Sequence, residues 1–130
     1  MAELFVAIYK GGDNNVPHWC FATRDDSGNE RIFEALGSTG INFTYHTRAV
    51  DLDKSASLTR LVKIGRIEAD VWPETPEVFK SVPMSRASGW NCQNWVREGI
   101  DKLREKDYLE EDTAGTAYIM SKYQKKWKDY

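Results

Sequence analysis

The stretch Trp90-Asn91-Cys92-Gln93-Asn94-Trp95-Val96 places a cysteine where a loop of mostly small residues, 83–89, turns into an amphipathic helix. Beyond it Cys92, Val96, Ile100 and Leu103 recur at i, i+4, i+8 and i+11, a single apolar stripe that Trp95 widens. Arg97, Glu98, Asp101, Lys102 and Arg104 cover the outer face. A thiol at a helix start sits among unpaired backbone N–H groups and near the positive end of the helix dipole. Such surroundings favour the thiolate, which is the nucleophilic form. Asn91, just before the cysteine, is of the residue type that caps helices.

Upstream of this helix the period is that of strands. Residues 4–10 read as a first strand stopped by the turn cluster Gly11-Gly12-Asp13-Asn14-Asn15. Pro17 leads into a second, residues 18–23. After the turn 25–29 comes a third, residues 31–36, ended at 37–40, so the second and third form a hairpin. Residues 41–50 and 58–69 supply a fourth and a fifth strand, the fifth with Leu61, Lys63, Gly65 and Ile67 opposite Val62, Ile64 and Arg66. Pro73 and Pro76 bracket the start of a short helix over 75–82. Asp112-Thr113 caps a final helix that runs to Tyr130, with Tyr118, Ile119, Met120, Tyr123 and Trp127 on its buried side. The expectation is a single α+β domain spanning 1–130, a small antiparallel sheet of about five strands packed against two or three helices.

Composition narrows the function. A chain of 130 residues with 41% apolar residues has room for one real core. A formal charge of −2 gives no electrostatic reason to expect nucleic acid as a partner, and no run is long enough for a transmembrane helix. The first residues lack a secretory leader pattern, so a cytoplasmic location with free thiols is the default expectation. No glycine-rich loop opens a helix in the setting that phosphate binding requires. His18, Cys20, His46 and Cys92 have the residue types of a zinc site but the spacing of none, so no metal and no cofactor are expected. Oligomeric state leaves no mark on the sequence.

Three residues then stand together: His18 opening the second strand, Glu34 in the third, and Cys92 at the helix start. Their order and local sequences resemble the circularly permuted papain-like cysteine enzymes, closest to the lecithin–retinol acyltransferase-like group. The carriers are His18-Trp19-Cys20-Phe21-Ala22-Thr23, where that group opens a strand with a His-Trp type pair, and Asn91-Cys92-Gln93-Asn94-Trp95-Val96, its Asn-Cys-x-x-aromatic-Val motif. The resemblance implies a permuted papain-like fold, Cys92 as nucleophile and His18 as general base. It puts the family's third polar residue at Glu34, whose carboxylate would orient the imidazole. Two departures point away from lipid or retinoid substrates. Gln93-Asn94 stands where that group carries Glu-His, and the chain closes on a lysine-rich helix instead of a membrane anchor.

The implied chemistry is acyl transfer through a thioester on Cys92, from a small-molecule or peptide donor. Water as acceptor makes the protein a hydrolase of an amide, peptide or thioester. Another acceptor makes it an acyltransferase or cyclase, and an inert Cys92 would leave a binding module on an enzyme's fold. Trp19, Trp90 and Trp95, neighbours of the candidate residues in sequence, are candidates to line the substrate pocket, with core packing as the competing reading.

Overall fold

The computed structural model describes residues 1–10, 16–38 and 40–130, so the expected turn over 11–15 lies outside the described residues. Strands β1 (Ala2–Tyr9), β2 (His18–Asp25), β3 (Glu30–Ser38), β4 (Asn42–Val50) and β5 (Leu58–Ile67) form where β-branched and aromatic residues were read as strands. Helices α1 (Thr75–Ser81) and α2 (Cys92–Glu105) follow, then a short strand β6 (Leu109–Glu111) and helix α3 (Thr113–Lys122). The sheet is one open antiparallel layer in the order β4-β3-β2-β1-β5-β6, with six strands where about five were expected. β6 escapes a sequence reading because three residues are too few to show alternation. It is placed by pairing with β5 through Gly65↔Glu111 to Ile67↔Leu109.

Alternation sorts the strand residues onto two faces. One face, with Leu4, Val6, Ile8, Trp19, Phe21 and Phe33, is covered by all three helices and holds the main core. The expected stripe on α2 is realised: Cys92, Trp95, Val96, Ile100 and Leu103 are all buried. Phe21 stacks on Phe79 of α1 at 4.4 Å between ring centroids and meets Trp95 edge-on at 5.5 Å. The other face has a smaller cluster, Phe5, Ala7, Tyr9, Cys20, Ala22, Ile32 and Leu52. No helix of the described residues is long and apolar enough to cross a membrane.

Two expectations are corrected. Strict alternation in β5 would send Ile64 and Ile67 to opposite faces, yet both belong to the main core. The register against β1 shifts between Leu4 and Phe5, and this bulge turns the strand so that both isoleucines point inward. The final helix does not reach Tyr130 either. It stops at Lys122, Gln124 adopts φ +60°, and the chain turns into a short 3-10 segment, Trp127–Asp129. A left-handed glutamine is uncommon and needs local support. Gln124 has it, from hydrogen bonds to the start of α2 described below.

α3 lies directly on β5 because Gly115 has no side chain there. A Cβ at that position would run into the backbone carbonyl of Lys63. The obstacle is backbone inside a sheet, which cannot swing aside. We therefore expect Gly115→Ala to lower the unfolding free energy by about 1–3 kcal/mol, as overpacking does, read as a lower denaturant midpoint at unchanged slope. Unchanged stability would mean that α3 rides more loosely on β5 than this packing implies.

Candidate thiol–imidazole site

β2 and β3 do not pair along their whole length. Their ladder covers Phe21↔Phe33 to Arg24↔Glu30 and stops there. On the far side of that point β2 keeps its bonds to β1, from Cys20 opposite Ala7 to His18 opposite Tyr9. β3 goes on with β4, Glu34 opposite His46. The start of β2 and the end of β3 are therefore held from outside, and the gap between them receives the first turn of α2.

Cys92 is the first residue of that helix. Its sulfur accepts a hydrogen bond from the Trp19 backbone N–H at 3.4 Å. His18 lines the same pocket, with Nε2 2.9 Å from Glu34 Oε1, which leaves Nδ1 as the ring nitrogen not engaged by the carboxylate. The three expected residues thus come together from β2, β3 and α2. The imidazole is largely enclosed, its side chain 18% exposed, and the carboxylate more so at 7%. Burial pulls the imidazole's pKa down, but the adjoining Cys92 thiol and the Glu34 carboxylate outweigh it and lift His18 from 6.5 to about 9. The pocket above these groups has a volume of about 420 Å³, within the usual range for small-molecule sites.

A polar clamp fixes the helix start. The Asn91 side chain accepts from the Gln93 N–H at 2.9 Å, while the Asn91 N–H donates to Asn94 Oδ1 at 2.9 Å, a reciprocal cap. Gln93 is fully buried. Its Nε2 donates to the Pro17 carbonyl at 2.9 Å, and its Oε1 accepts from the Gln124 N–H at 2.7 Å. Gln124 Nε2 donates to Asn94 Oδ1 at 2.8 Å, and Asn94 Nδ2 donates to the Tyr123 hydroxyl at 2.8 Å. Gln93, next to Cys92, thus ties Pro17, next to His18, to the turn after α3. In the sequence Gln93-Asn94 stands out only as a departure from the group that the chain resembles; polarity beside the apolar stripe of α2 was the available signal. Gln124, some thirty residues away, carried no local signal.

The three tryptophans do not line the pocket. Trp19 and Trp95 are fully buried in the main core, and Trp90 packs edge-on against Phe43 at 5.3 Å with its Nε1 bonded to Glu98. Alternation explains Trp19: next to His18 in sequence, it points to the opposite face. The pocket walls come instead from Tyr9, Ile32, Leu36 and Phe43, with Lys10 and Arg48. Trp90 contributes from behind, as the support of Phe43.

The second cysteine plays a different part. Cys20 is fully buried on the face that also carries Glu34, and burial pushes its thiol well above the ordinary value. The zinc-type set His18, Cys20, His46 and Cys92 does not gather. His46 is exposed and bonded to Thr44. Among the described residues the groups that converge within 4.8 Å are His18, Cys20 and Glu34. A cation there would have to displace the bond between His18 and Glu34.

The geometry sets a pH signature. With its folded value above 6.5, a charged His18 contributes stability that is complete below about pH 6.5 and is lost as pH rises through about 9. The ring resonances of His18, followed by NMR, should titrate near 9. In Glu34→Gln and in Cys92→Ala the midpoint should move down, because each removes a partner of the charged ring, while Tyr9 and Cys20 stay in place around it. A midpoint near the ordinary histidine value that neither substitution shifts would contradict the pairing.

No curated protein and no solved structure matches this chain. The model of a family of unknown function, DUF6540, matches residues 4–110. This span runs from β1 into β6 and takes in His18, Glu34 and Cys92, so the chain belongs to that family of unknown function.

Proposed function

We propose that this protein is a cysteine-dependent acyl-transfer enzyme, a hydrolase of an amide, peptide or thioester, on a permuted papain-like fold. The observation that carries the reading is the convergence of a helix-start cysteine, an imidazole and a buried carboxylate on one small pocket. The Cys92 thiolate attacks the acyl carbon, and a tetrahedral oxyanion forms. The bond to the leaving group breaks as the His18 imidazolium gives up its proton to that group, leaving a thioester. A water then attacks the thioester carbon and loses its proton to His18, and the carbon–sulfur bond breaks to restore the thiolate. Glu34 holds the ring and stabilises its charged form. Among the described residues nothing accepts from the Cys92 N–H, which suits it to the oxyanion.

Transfer to an amine or alcohol uses the same thioester; water is the acceptor in the proposed reaction. Two free cysteines suit a reducing compartment, and we place the protein in the cytoplasm.

The test is a generic activated ester. With p-nitrophenyl acetate, intact-mass analysis should show one acetyl group, mapped to the peptide holding Cys92, and a matching burst of p-nitrophenolate. Cys92→Ser should abolish the adduct, and His18→Ala should slow acylation by about 100-fold or more. The absence of both an adduct on Cys92 and Cys92-dependent release of p-nitrophenolate, or wild-type rates in both variants, would rule out the acyl-transfer reading and leave a binding module.

A further inference from the structure

The acyl-transfer reading leaves two cations at the pocket unexplained. Arg48 stands on β4 opposite Ile32, on the face that carries Glu34. Its one ion pair among the described residues is a long one, Nε to Glu34 Oε2 at 3.9 Å, and its side chain is 64% exposed. Glu34 is already engaged through Oε1 by His18, so most of the guanidinium's five donors are free. Lys10, at the end of β1, lines the same pocket. It has no ion pair among the described residues. Among the described lining residues Glu34 is the sole carboxylate, so there the cations outnumber it before the imidazole is counted.

The wall near these cations is apolar. Ile32, Tyr9 and Phe43 face the cavity, and Leu36 stays 40% exposed although a large aliphatic side chain gains by burial. A ligand that fits such a lining has an apolar stem with an anionic end. Arg48 favours a planar, singly charged anion, because the guanidinium fork matches a carboxylate and Glu34 beneath it repels a dianion more strongly.

We propose that the pocket selects acyl donors that carry a carboxylate, such as amino-acid conjugates and short peptides, with Arg48 as the principal anchor and Lys10 as the second. This rests on the acyl-transfer reading for the word donor, but not for the anion site itself.

The two parts separate experimentally. Cys92 is alkylated with iodoacetate and with iodoacetamide at neutral pH, and the ratio of the two rates is compared with that of free cysteine. The ratio should exceed that of the free thiol in the wild type. It should fall by about threefold or more in Arg48→Gln, the effect of one unit charge a few ångströms away in wet surroundings. Arg48→Lys, which keeps the charge without the fork, should retain part of the ratio, Lys10→Gln should lower it, and Lys54→Gln, a charge outside the pocket, should leave it alone. A wild-type ratio no higher than that of free cysteine, or one indifferent to Arg48→Gln, overturns the proposal.

The same proteins are then given mono-p-nitrophenyl glutarate and p-nitrophenyl butyrate. Preference for the glutarate that is lost in Arg48→Gln supports both parts. Acylation by both esters at equal rates removes the carboxylate selection and keeps acyl transfer. No acylation by either ester, with an alkylation ratio that still depends on Arg48, removes acyl transfer and keeps the anion site.

Discussion

The site depends on one missing piece of hydrogen-bond ladder. If the β2–β3 register continued past Phe21↔Phe33, Cys20 would pair with Glu34 and His18 with Leu36. The sheet would close, and the Trp19 N–H would be spent on a β3 carbonyl. A buried N–H needs a partner wherever it ends up. Because β3 is drawn off toward β4, that partner is the Cys92 sulfur. The interruption opens a pocket, leaves His18 and Glu34 facing each other across it, and docks α2 by the bond that the strand gave up.

Such a gap would be costly without compensation, and the compensation is the glutamine–asparagine clamp. Gln93 bonds the carbonyl of Pro17 and the N–H of Gln124, so the approach to β2 and the turn after α3 are both tied to the first turn of α2. The members satisfy one another, which is what makes a buried polar cluster rigid instead of destabilising. The left-handed backbone of Gln124 costs roughly 1–3 kcal/mol, offset by bonds to Gln93, Asn91 and Asn94. The C-terminal segment is thereby part of the site although, among the described residues, it makes no hydrogen bond to Cys92, His18 or Glu34. Tyr130 joins it through the bond from Trp19 Nε1 to its hydroxyl at 2.9 Å.

What was legible in the sequence follows from range. Strand alternation, turn clusters and the α2 stripe are local patterns, and each located its element within a few residues. Glu34 could be assigned to the face of Ile32 because period two is unambiguous over so short a distance. The failures are non-local or too brief. The bulge that brings Ile64 and Ile67 together depends on the partner strand, β6 is placed by its neighbour, and α3 ends early because Gln124 is captured by residues about thirty positions upstream. The tryptophans were ambiguous for a simpler reason. Adjacency in sequence to His18 and Cys92 left pocket lining and core packing both open, and for Trp19 one step along a strand reverses the face. Arg48 and Lys10, which do reach the pocket, sit beside no motif.

The central claim, that Cys92 and His18 act as a pair, is tested most directly by alkylation of the protein at neutral pH with peptide mass spectrometry as the readout. Cys20, buried a few ångströms from the same imidazole, is the internal reference. The account predicts rapid labelling of Cys92, little or none of Cys20 in the folded protein, and a large loss of Cys92 reactivity in His18→Ala. If Cys92 reacts no faster than an ordinary thiol and is indifferent to His18→Ala, the pair does not exist as a chemical unit, and the pocket is a binding site alone.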